Sequence, residues 1–174
     1  MKIFLTGGIG VGKSTCIKQI MEECLISVCG FQTLPFYGKG KRLGFYLHSL
    51  VDMEEQDVRF SIQHDTYNEV IPHVFDTFGV NILKESRKFP EKVMILDEIG
   101  RLERNDVNFL NTLWECIENH PNIIGVLKKC EIQYIHEIAA RKDVVVYDLD
   151  VCSFADVKAE IKQKLMEEGY EEVL

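Results

Sequence analysis

The residues with the clearest chemical potential form the stretch Gly7–Ser14, which reads GGIGVGKS and directly follows an apolar segment. This stretch has the spacing G-x-x-x-x-G-K-S, in which the backbone N–H groups of a glycine-rich loop wrap a β-phosphate. In such a loop Lys13 reaches the β- and γ-phosphates and Ser14 supplies a ligand to Mg²⁺, while the following helix adds its partial positive charge. The spacing therefore predicts a phosphate-binding loop (P-loop) for a nucleoside triphosphate.

The predicted nucleotide contacts are the residues of the loop and the first turn of its helix: Gly7, Gly8, Ile9, Gly10, Val11, Gly12, Lys13, Ser14 and Thr15. Thr15 would face the α-phosphate, although an ordinary helix position is equally consistent with its place in the chain.

A second chemical element is the pair Asp97-Glu98, which follows the apolar run Lys92–Leu96. Ligands of an open α/β sheet bind at the carboxyl ends of its strands, so both carboxylates are expected beside the P-loop. Asp97 can hold Mg²⁺ together with Ser14, and Glu98 can accept a proton from an attacking water. An ordinary acidic strand exit is the alternative, and the P-loop in the same chain favours catalysis. The motifs together predict Mg²⁺-dependent hydrolysis.

Phosphoryl transfer also needs positive charge near the γ-phosphate. Arg101, four residues after Asp97, is the preferred candidate because it follows the carboxylates closely. Lys128, at the end of the apolar run Ile123–Leu127, is a second candidate, and Arg42 and Arg141 are more remote ones.

Short apolar runs and helical segments alternate along the chain, and this alternation predicts an α/β fold with a mostly parallel sheet. The predicted strands are Lys2–Thr6, Leu25–Cys29, Lys92–Leu96, Ile123–Leu127 and Val144–Tyr147. The predicted helices are Lys13–Glu23, a helical region from Asp65 to Lys88, a helix from the cap Asn105 to Glu118, Glu131–Arg141 and Phe154–Glu168. Gln32–Tyr37 and Leu43–Leu50 flank Gly38-Lys39-Gly40 and predict a β-hairpin. Its aromatic side chains could stack on a nucleobase, but packing against the sheet is their more usual use.

Composition bounds the remaining possibilities. The 174 residues fit one domain (1–174), and 46% hydrophobic with 28% charged residues is typical of a soluble globular protein. A net charge of −8 disfavours nucleic acid as a partner. Neither a signal peptide nor a membrane span is expected, and six cysteines without a C-x-x-C pair favour a reducing cytoplasm over a metal site.

Several segments together resemble one family, the THEP1-type or cancer-related P-loop nucleoside-triphosphatases. Beyond the P-loop, the chain has Gly30-Phe31-Gln32-Thr33 followed by Gly40-Lys41-Arg42-Leu43-Gly44-Phe45, similar to a G-x-R-x-G-F hairpin. The segment Asp97–Glu103, DEIGRLE, resembles the signature D-E-I-G-[KR]-M-E, and Ile124–Leu149 resembles the C-terminal third. The resemblance implies a three-layer, RecA-like sheet with an added hairpin. It also implies slow hydrolysis of several nucleoside triphosphates with Mg²⁺, Asp97 serving the metal and Glu98 activating water.

The chain departs from the family at two places where members carry charged stretches. Leu34-Pro35-Phe36 follows Thr33 in place of an E-V-R-like stretch, and Asp150-Val151-Cys152-Ser153 replaces an E-N-R-like one. Slower turnover, altered selectivity or a role centred on binding would follow if those charges contact the nucleotide.

The leading hypothesis is a monomeric nucleoside-triphosphatase that accepts ATP, GTP, CTP and UTP, because an N-K-x-D stretch for reading guanine is missing from the sequence. A small nucleoside or nucleotide kinase is the first alternative, although an arginine-dense lid is not evident. A nucleotide-binding regulatory module with weak hydrolysis is the second.

Overall fold

A computed structural model describes residues 1–101 and 103–173; Leu102 and Leu174 lie outside the described residues. The strands are, in chain order, β1 (Lys2–Thr6), β2 (Cys24–Leu25), β3 (Val28–Gly38), β4 (Lys41–Ser49), β5 (Asp57–Gln63), β6 (Asn68–Val70), β7 (Val93–Ile99), β8 (Ile123–Leu127), β9 (Val145–Asp148) and β10 (Glu171–Glu172). The α-helices are α1 (Lys13–Glu23), α2 (Val80–Ser86), α3 (Val107–Asn119), α4 (Gln133–Ala139) and α5 (Phe154–Glu167), and a π-helical turn, Phe75–Gly79, leads into α2.

Eight strands form the central sheet in the order β6-β5-β4-β3-β7-β8-β1-β9. Five consecutive strands of this order pair in parallel with one another: β3, β7, β8, β1 and β9. The strands β4, β5 and β6 add an antiparallel extension at the β3 edge. The prediction of a mostly parallel sheet with an added hairpin is therefore confirmed.

The sheet has a helical layer on each face, which gives the three-layer architecture. On one face α1 and α5 pack buried side chains such as Ile17 and Ile161 against Ile3 and Leu5 of β1. On the other face the π-helical turn, α2, α3 and α4 cover Phe4 and Met94. Because both faces are covered, β8 and the first four residues of β7, Val93–Leu96, are continuous apolar runs rather than alternating ones. No helix among residues 1–101 and 103–173 is long and apolar enough to cross a membrane.

The predicted elements with strong local patterns are found near their predicted bounds. The strands β1 and β8 and the helix α1 have the bounds that the sequence predicts, and α5 ends one residue earlier. The hairpin is β3–β4, whose turn has Lys39 and Gly40 in the left-handed region, with φ values of 48° and 76°.

The region from Asp65 to Lys88 is not helical throughout, so that prediction is wrong in its first half. Asn68–Val70 is an edge strand that pairs with β5, and helical structure begins only at Phe75. The sequence pattern predicts neither β5 nor β6. The strand β6 has only three residues and pairs with β5, so a local pattern does not report it. The strand β5 pairs with β4, and its Val58, Phe60 and Ile62 alternate with polar residues, a strand pattern that the prediction did not use.

Several boundaries also differ. The helix α4 is two residues shorter at each end than the predicted Glu131–Arg141, and β7 and β9 begin and end later than predicted. Asp106, not Asn105, is the N-cap position of α3, and its side chain does not cap the helix. The N–H of Phe109, in the first turn of α3, donates to Asp76 Oδ1 at 3.0 Å. The predicted strand Leu25–Cys29 divides into β2 and the start of β3. The strand β2 pairs with β10 in a separate two-stranded antiparallel sheet, which joins Glu171–Glu172 near the end of the chain to Cys24–Leu25.

The aromatic residues around the hairpin pack, as the sequence favoured. Phe31 is fully buried with its ring centroid 5.9 Å from that of Phe109. The rings of Phe36 and Tyr46 pack on each other at 4.9 Å.

Candidate functional site

The glycine-rich loop joins β1 to α1 at the carboxyl edge of the parallel sheet. Gly12 is the N-cap of α1 with a φ of 100°, a left-handed conformation that favours glycine. No side chain caps this helix among the described residues, so its first N–H groups point toward the loop without a side-chain partner. Free amides at the positive end of a helix dipole are the features that suit a loop to an anion.

The Lys13 side chain folds back over the loop. Its Nζ donates to the carbonyl oxygen of Gly7 at 2.9 Å and to that of Gly8 at 2.7 Å. The ammonium group therefore lies inside the concave side of the loop, where a bound phosphate would meet it.

Ser14 and Asp97 meet across the sheet edge although they are 83 residues apart. The Ser14 hydroxyl donates to Asp97 Oδ1 at 2.9 Å. Asp97 is only 1% exposed, and burial raises the pKa of its carboxyl group to about 6, although the bond from Ser14 opposes that shift. Two hard oxygen ligands lie side by side here, and one is a buried carboxylate that forms no ion pair within the described part of the chain. This pair of oxygens fits a site for Mg²⁺.

Glu98 is half-buried next to Asp97 and faces a cation that comes from β8. Its Oε1 lies 3.4 Å from Lys128 Nζ. Arg101, the cation that the sequence favoured, is exposed and lines the same small cavity, of about 90 Å³, as Glu98 and Lys128. The geometry thus brings two cations to the carboxylate, with Lys128 in direct contact.

This small cavity has an aromatic side and a charged side, formed by Phe45, Phe60 and Phe75 and by Glu98, Arg101, Glu103 and Lys128. A second groove, of about 520 Å³, lies between α2 and α3; residues such as Asp76, Lys84 and Glu115 line it, and no P-loop residue does. The small cavity is the one that adjoins the reactive groups.

Glu103 is a buried carboxyl group that was not predicted to belong to the site. It is 2% exposed and accepts a hydrogen bond from the Gly100 N–H, while the Tyr134 hydroxyl donates to the Gly100 carbonyl oxygen. Burial raises the pKa of Glu103 to about 7. These contacts hold the turn that follows β7, and the only sequence signal was the place of Glu103 at the end of the DEIGRLE segment.

A second unpredicted contact reaches the P-loop from β9. The Gly8 N–H donates to both carboxylate oxygens of Asp150, at 2.9 and 3.0 Å. Lys129 Nζ donates to Asp148 Oδ2 and Asp150 Oδ2, both at 2.8 Å. Asp150 belongs to the segment that departs from the family pattern, so the sequence marked the place without showing the contact.

The chain is similar in sequence to known proteins over most of its length. A family model described as NTPase matches residues 2–164 of the chain. The chain is 30% identical over 153 residues to the nucleoside-triphosphatase THEP1 of Thermotoga sp. (strain RQ2), an alignment that covers 86% of this chain and 87% of that protein. It is 31% identical over 136 residues to the nucleoside-triphosphatase THEP1 of Methanocaldococcus jannaschii, with 74% and 79% covered.

Two solved structures have a similar fold. The crystal structure of THEP1 from Aquifex aeolicus superposes with a TM-score of 0.70 at 25% identity and covers 90% of this chain and 96% of that one. The solution structure of a human cancer-related nucleoside triphosphatase has a TM-score of 0.71 at 21% identity, with 95% and 97% covered. At that identity the second likeness concerns the fold alone.

Proposed function

The chain belongs to the NTPase family and is a nucleoside-triphosphatase, and we propose on that premise that it works with Mg²⁺ through the P-loop, Asp97 and Glu98. The observation that carries this proposal is the 2.9 Å bond from Ser14 Oγ to Asp97 Oδ1. It joins the end of the P-loop to the carboxylates of β7, so triphosphate and metal would be bound at one place.

In this mechanism the residues Gly7–Thr15 bind the triphosphate, with the loop amides around the β-phosphate and Lys13 Nζ on the β- and γ-phosphates. Ser14 and Asp97 would hold Mg²⁺. When bound, the ion neutralises charge on the phosphate oxygens. The P-loop lysine exchanges its present bonds to the Gly7 and Gly8 carbonyls for bonds to phosphate oxygens, which are stronger acceptors because they are charged.

Glu98 is proposed as the general base. Its carboxylate takes one proton from a water molecule, the water oxygen bonds to the γ-phosphorus, and the bond from that phosphorus to the β,γ-bridging oxygen breaks. The products are a nucleoside diphosphate and phosphate. Lys128 and Arg101 are the candidates for stabilising the departing charge. The 3.4 Å approach of Lys128 Nζ to Glu98 favours Lys128.

We further propose that the substrates are nucleoside triphosphates with little selection for the base, including ATP, GTP, CTP and UTP. This is supported by the sequence, which lacks an N-K-x-D stretch for reading guanine. We propose one domain acting as a monomer in the cytoplasm. Both helical layers pack on the same sheet, and all six cysteines lie in the described part of the chain as free thiols, which suits a reducing compartment.

The test is phosphate release from ATP, GTP, CTP and UTP, with Mg²⁺ and with a chelator. We expect release from all four only when Mg²⁺ is present. Release that persists in the chelator would contradict the roles of Ser14 and Asp97. Transfer of the γ-phosphate to an added nucleoside or nucleotide would instead support the kinase alternative.

Glu98→Gln tests the general base directly. We expect this variant to keep its affinity for nucleotide and to lose about 10²- to 10⁴-fold in turnover, the usual contribution of a positioned base. Glu91→Gln, an exposed glutamate before the other end of β7, is the matched control and should hydrolyse like the wild type. Equal turnover of Glu98→Gln and Glu91→Gln would refute the role of Glu98.

A further inference from the structure

The first turn of the P-loop is held from outside by the loop that follows β9. The Gly8 N–H donates to Asp150 Oδ1 at 2.9 Å and to Asp150 Oδ2 at 3.0 Å. On its other side the Gly8 carbonyl oxygen accepts from Lys13 Nζ at 2.7 Å. Polar groups on both sides of Gly8 are therefore bound, one by Asp150 and one by the P-loop lysine.

Asp150 is itself held in place. Lys129 Nζ lies 2.8 Å from Asp148 and 2.8 Å from Asp150, and the Asp150 N–H donates to Asp148 Oδ1 at 2.9 Å. The Lys129 ammonium and the Gly8 N–H bond lower the pKa of the Asp150 carboxyl, so it is charged at neutral pH. These contacts cross-link the carboxyl ends of β8, β1 and β9, which are neighbours in the sheet.

The cross-link lies opposite the metal side of the P-loop. Ser14 and Asp97 join the loop to β7, which lies beyond β8 from β1, whereas Asp150 follows β9 on the other edge of β1. The P-loop is thus held from both directions, and Asp150 is the side chain that ties its Gly8 end to the loop after β9.

The charges around Asp150 should by themselves weaken the binding of a triphosphate. Two carboxylates and one ammonium leave a net negative charge close to Lys13, in a loop whose ligand is a polyanion. A negative charge there opposes binding of a triphosphate. This repulsion is offset if Asp150 positions the loop, because a loop already in its binding conformation loses less conformational entropy when the ligand binds.

From these contacts we propose that Asp150, held by Lys129, is a positioning residue that keeps the P-loop in its triphosphate-binding conformation. The proposal rests on the nucleotide-binding role proposed above for the P-loop. Asp150 does not touch the reacting atoms, so its loss acts on nucleotide affinity more than on the chemical step.

The variants Asp150→Ala, Asp150→Asn and Lys129→Ala test this proposal. Asp150→Ala removes the acceptor of the Gly8 N–H, and we expect nucleotide affinity to fall about ten-fold, the scale of one charge-assisted hydrogen bond. Asp150→Asn keeps one acceptor oxygen and should recover part of the loss. Lys129→Ala should weaken binding only about two- to three-fold, because an exposed ion pair contributes little.

Lys162→Ala is the matched control. Lys162 also bridges two carboxylates, those of Glu23 and Glu172, at 2.9 and 3.0 Å, but it lies on α5 away from the P-loop. Removing it should leave nucleotide affinity unchanged.

The measurements are the Kd of a fluorescent, non-hydrolysable triphosphate analogue with Mg²⁺, the KM and kcat of phosphate release, and Tm. The proposal expects Kd and KM to rise for Asp150→Ala, with kcat within about three-fold of wild type, since uniform binding is lost. Nucleotide binding equal to or tighter than wild type in Asp150→Ala and Asp150→Asn overturns the proposal, because the carboxylate would then only repel phosphate. Failure of the proposed hydrolysis would show instead as absent phosphate release by the wild type, and the Kd comparison would still decide the role of Asp150.

Discussion

Replacing Asp97 by asparagine should stabilise the protein without ligands and at the same time remove its magnesium-dependent turnover. The Asp97 carboxyl is 1% exposed and, in the absence of a metal, has one described side-chain partner, the Ser14 hydroxyl. An asparagine side chain is similar in shape and could still accept that bond through its amide oxygen. The substitution therefore removes the charge and keeps the packing.

The size of the effect follows from the pKa of Asp97, which burial raises from 3.8 to about 6. A shift of about two units corresponds to about 3 kcal/mol, at 1.36 kcal/mol per unit. The folded protein binds the proton more tightly than the unfolded chain. Stability is therefore lost as the pH rises from about 4 to about 6, and the whole cost is present above pH 6. Removing about 3 kcal/mol of cost should raise Tm by about 5–10 °C in a chain of this length.

The assay is thermal and urea unfolding of wild type and Asp97→Asn in a chelator, at about pH 4 and about pH 8. The variant should be more stable at the higher pH and nearly equal to wild type at the lower one, where the folded wild type carries Asp97 protonated and the cost of its buried charge is absent. Adding Mg²⁺ with a triphosphate analogue should raise the Tm of the wild type and not that of the variant.

Asp143→Asn provides a control of opposite sign. Arg141 and Lys2 hold the pKa of the Asp143 carboxyl below its usual range, so this variant should lose stability at about pH 8. A loss of stability in Asp97→Asn at that pH, or a gain of the same size at both pH values, would refute the reasoning about Asp97.

Two further pairs of substitutions test the site and the fold separately. Lys128→Ala should lower kcat more than Arg101→Ala does, because Lys128 contacts the proposed general base whereas Arg101 is exposed. Phosphate release with saturating nucleotide measures both variants. A larger loss of kcat in Arg101→Ala would contradict this assignment. Gly30→Ala should destabilise the protein by roughly 3 kcal/mol or more, since Gly30 has a φ of 95° and a Cβ would lie 2.0 Å from a carbonyl oxygen of β7. Gly40→Ala, also at positive φ but in open space, should cost about 1 kcal/mol in urea unfolding, and equal losses in the two glycine variants would show that the close approach to β7 is unimportant.

Much of the fold could be predicted because its signals are local. The run Ile123–Leu127 is apolar throughout, as a strand covered on both faces must be, and the structure buries every residue of it. The helix α1 follows directly on the sequence G-x-x-x-x-G-K-S, whose spacing after a strand is itself a local signal for a helix start. By contrast β6, the three residues Asn68–Val70, is polar in two of three positions and depends on pairing with the edge of β5.

The candidate site also has a part that local sequence predicts and a part that it does not. The residue types and spacing of Gly7–Ser14 and Asp97-Glu98 identify a phosphate loop and a carboxylate pair, because that chemistry requires glycine, lysine, hydroxyl and carboxylate in fixed local order. The rule that ligands bind at the carboxyl ends of parallel strands was enough to predict that the two would meet.

Only the tertiary structure decided which of the many surface charges join them. Lys128 reaches Glu98 and Asp150 reaches Gly8 because the strand order β7-β8-β1-β9 places the ends of four separate strands beside one another. Long charged side chains look alike in a sequence, since each is compatible with a solvated position. Their partners depend on which strands are adjacent, and adjacency is a property of the folded sheet.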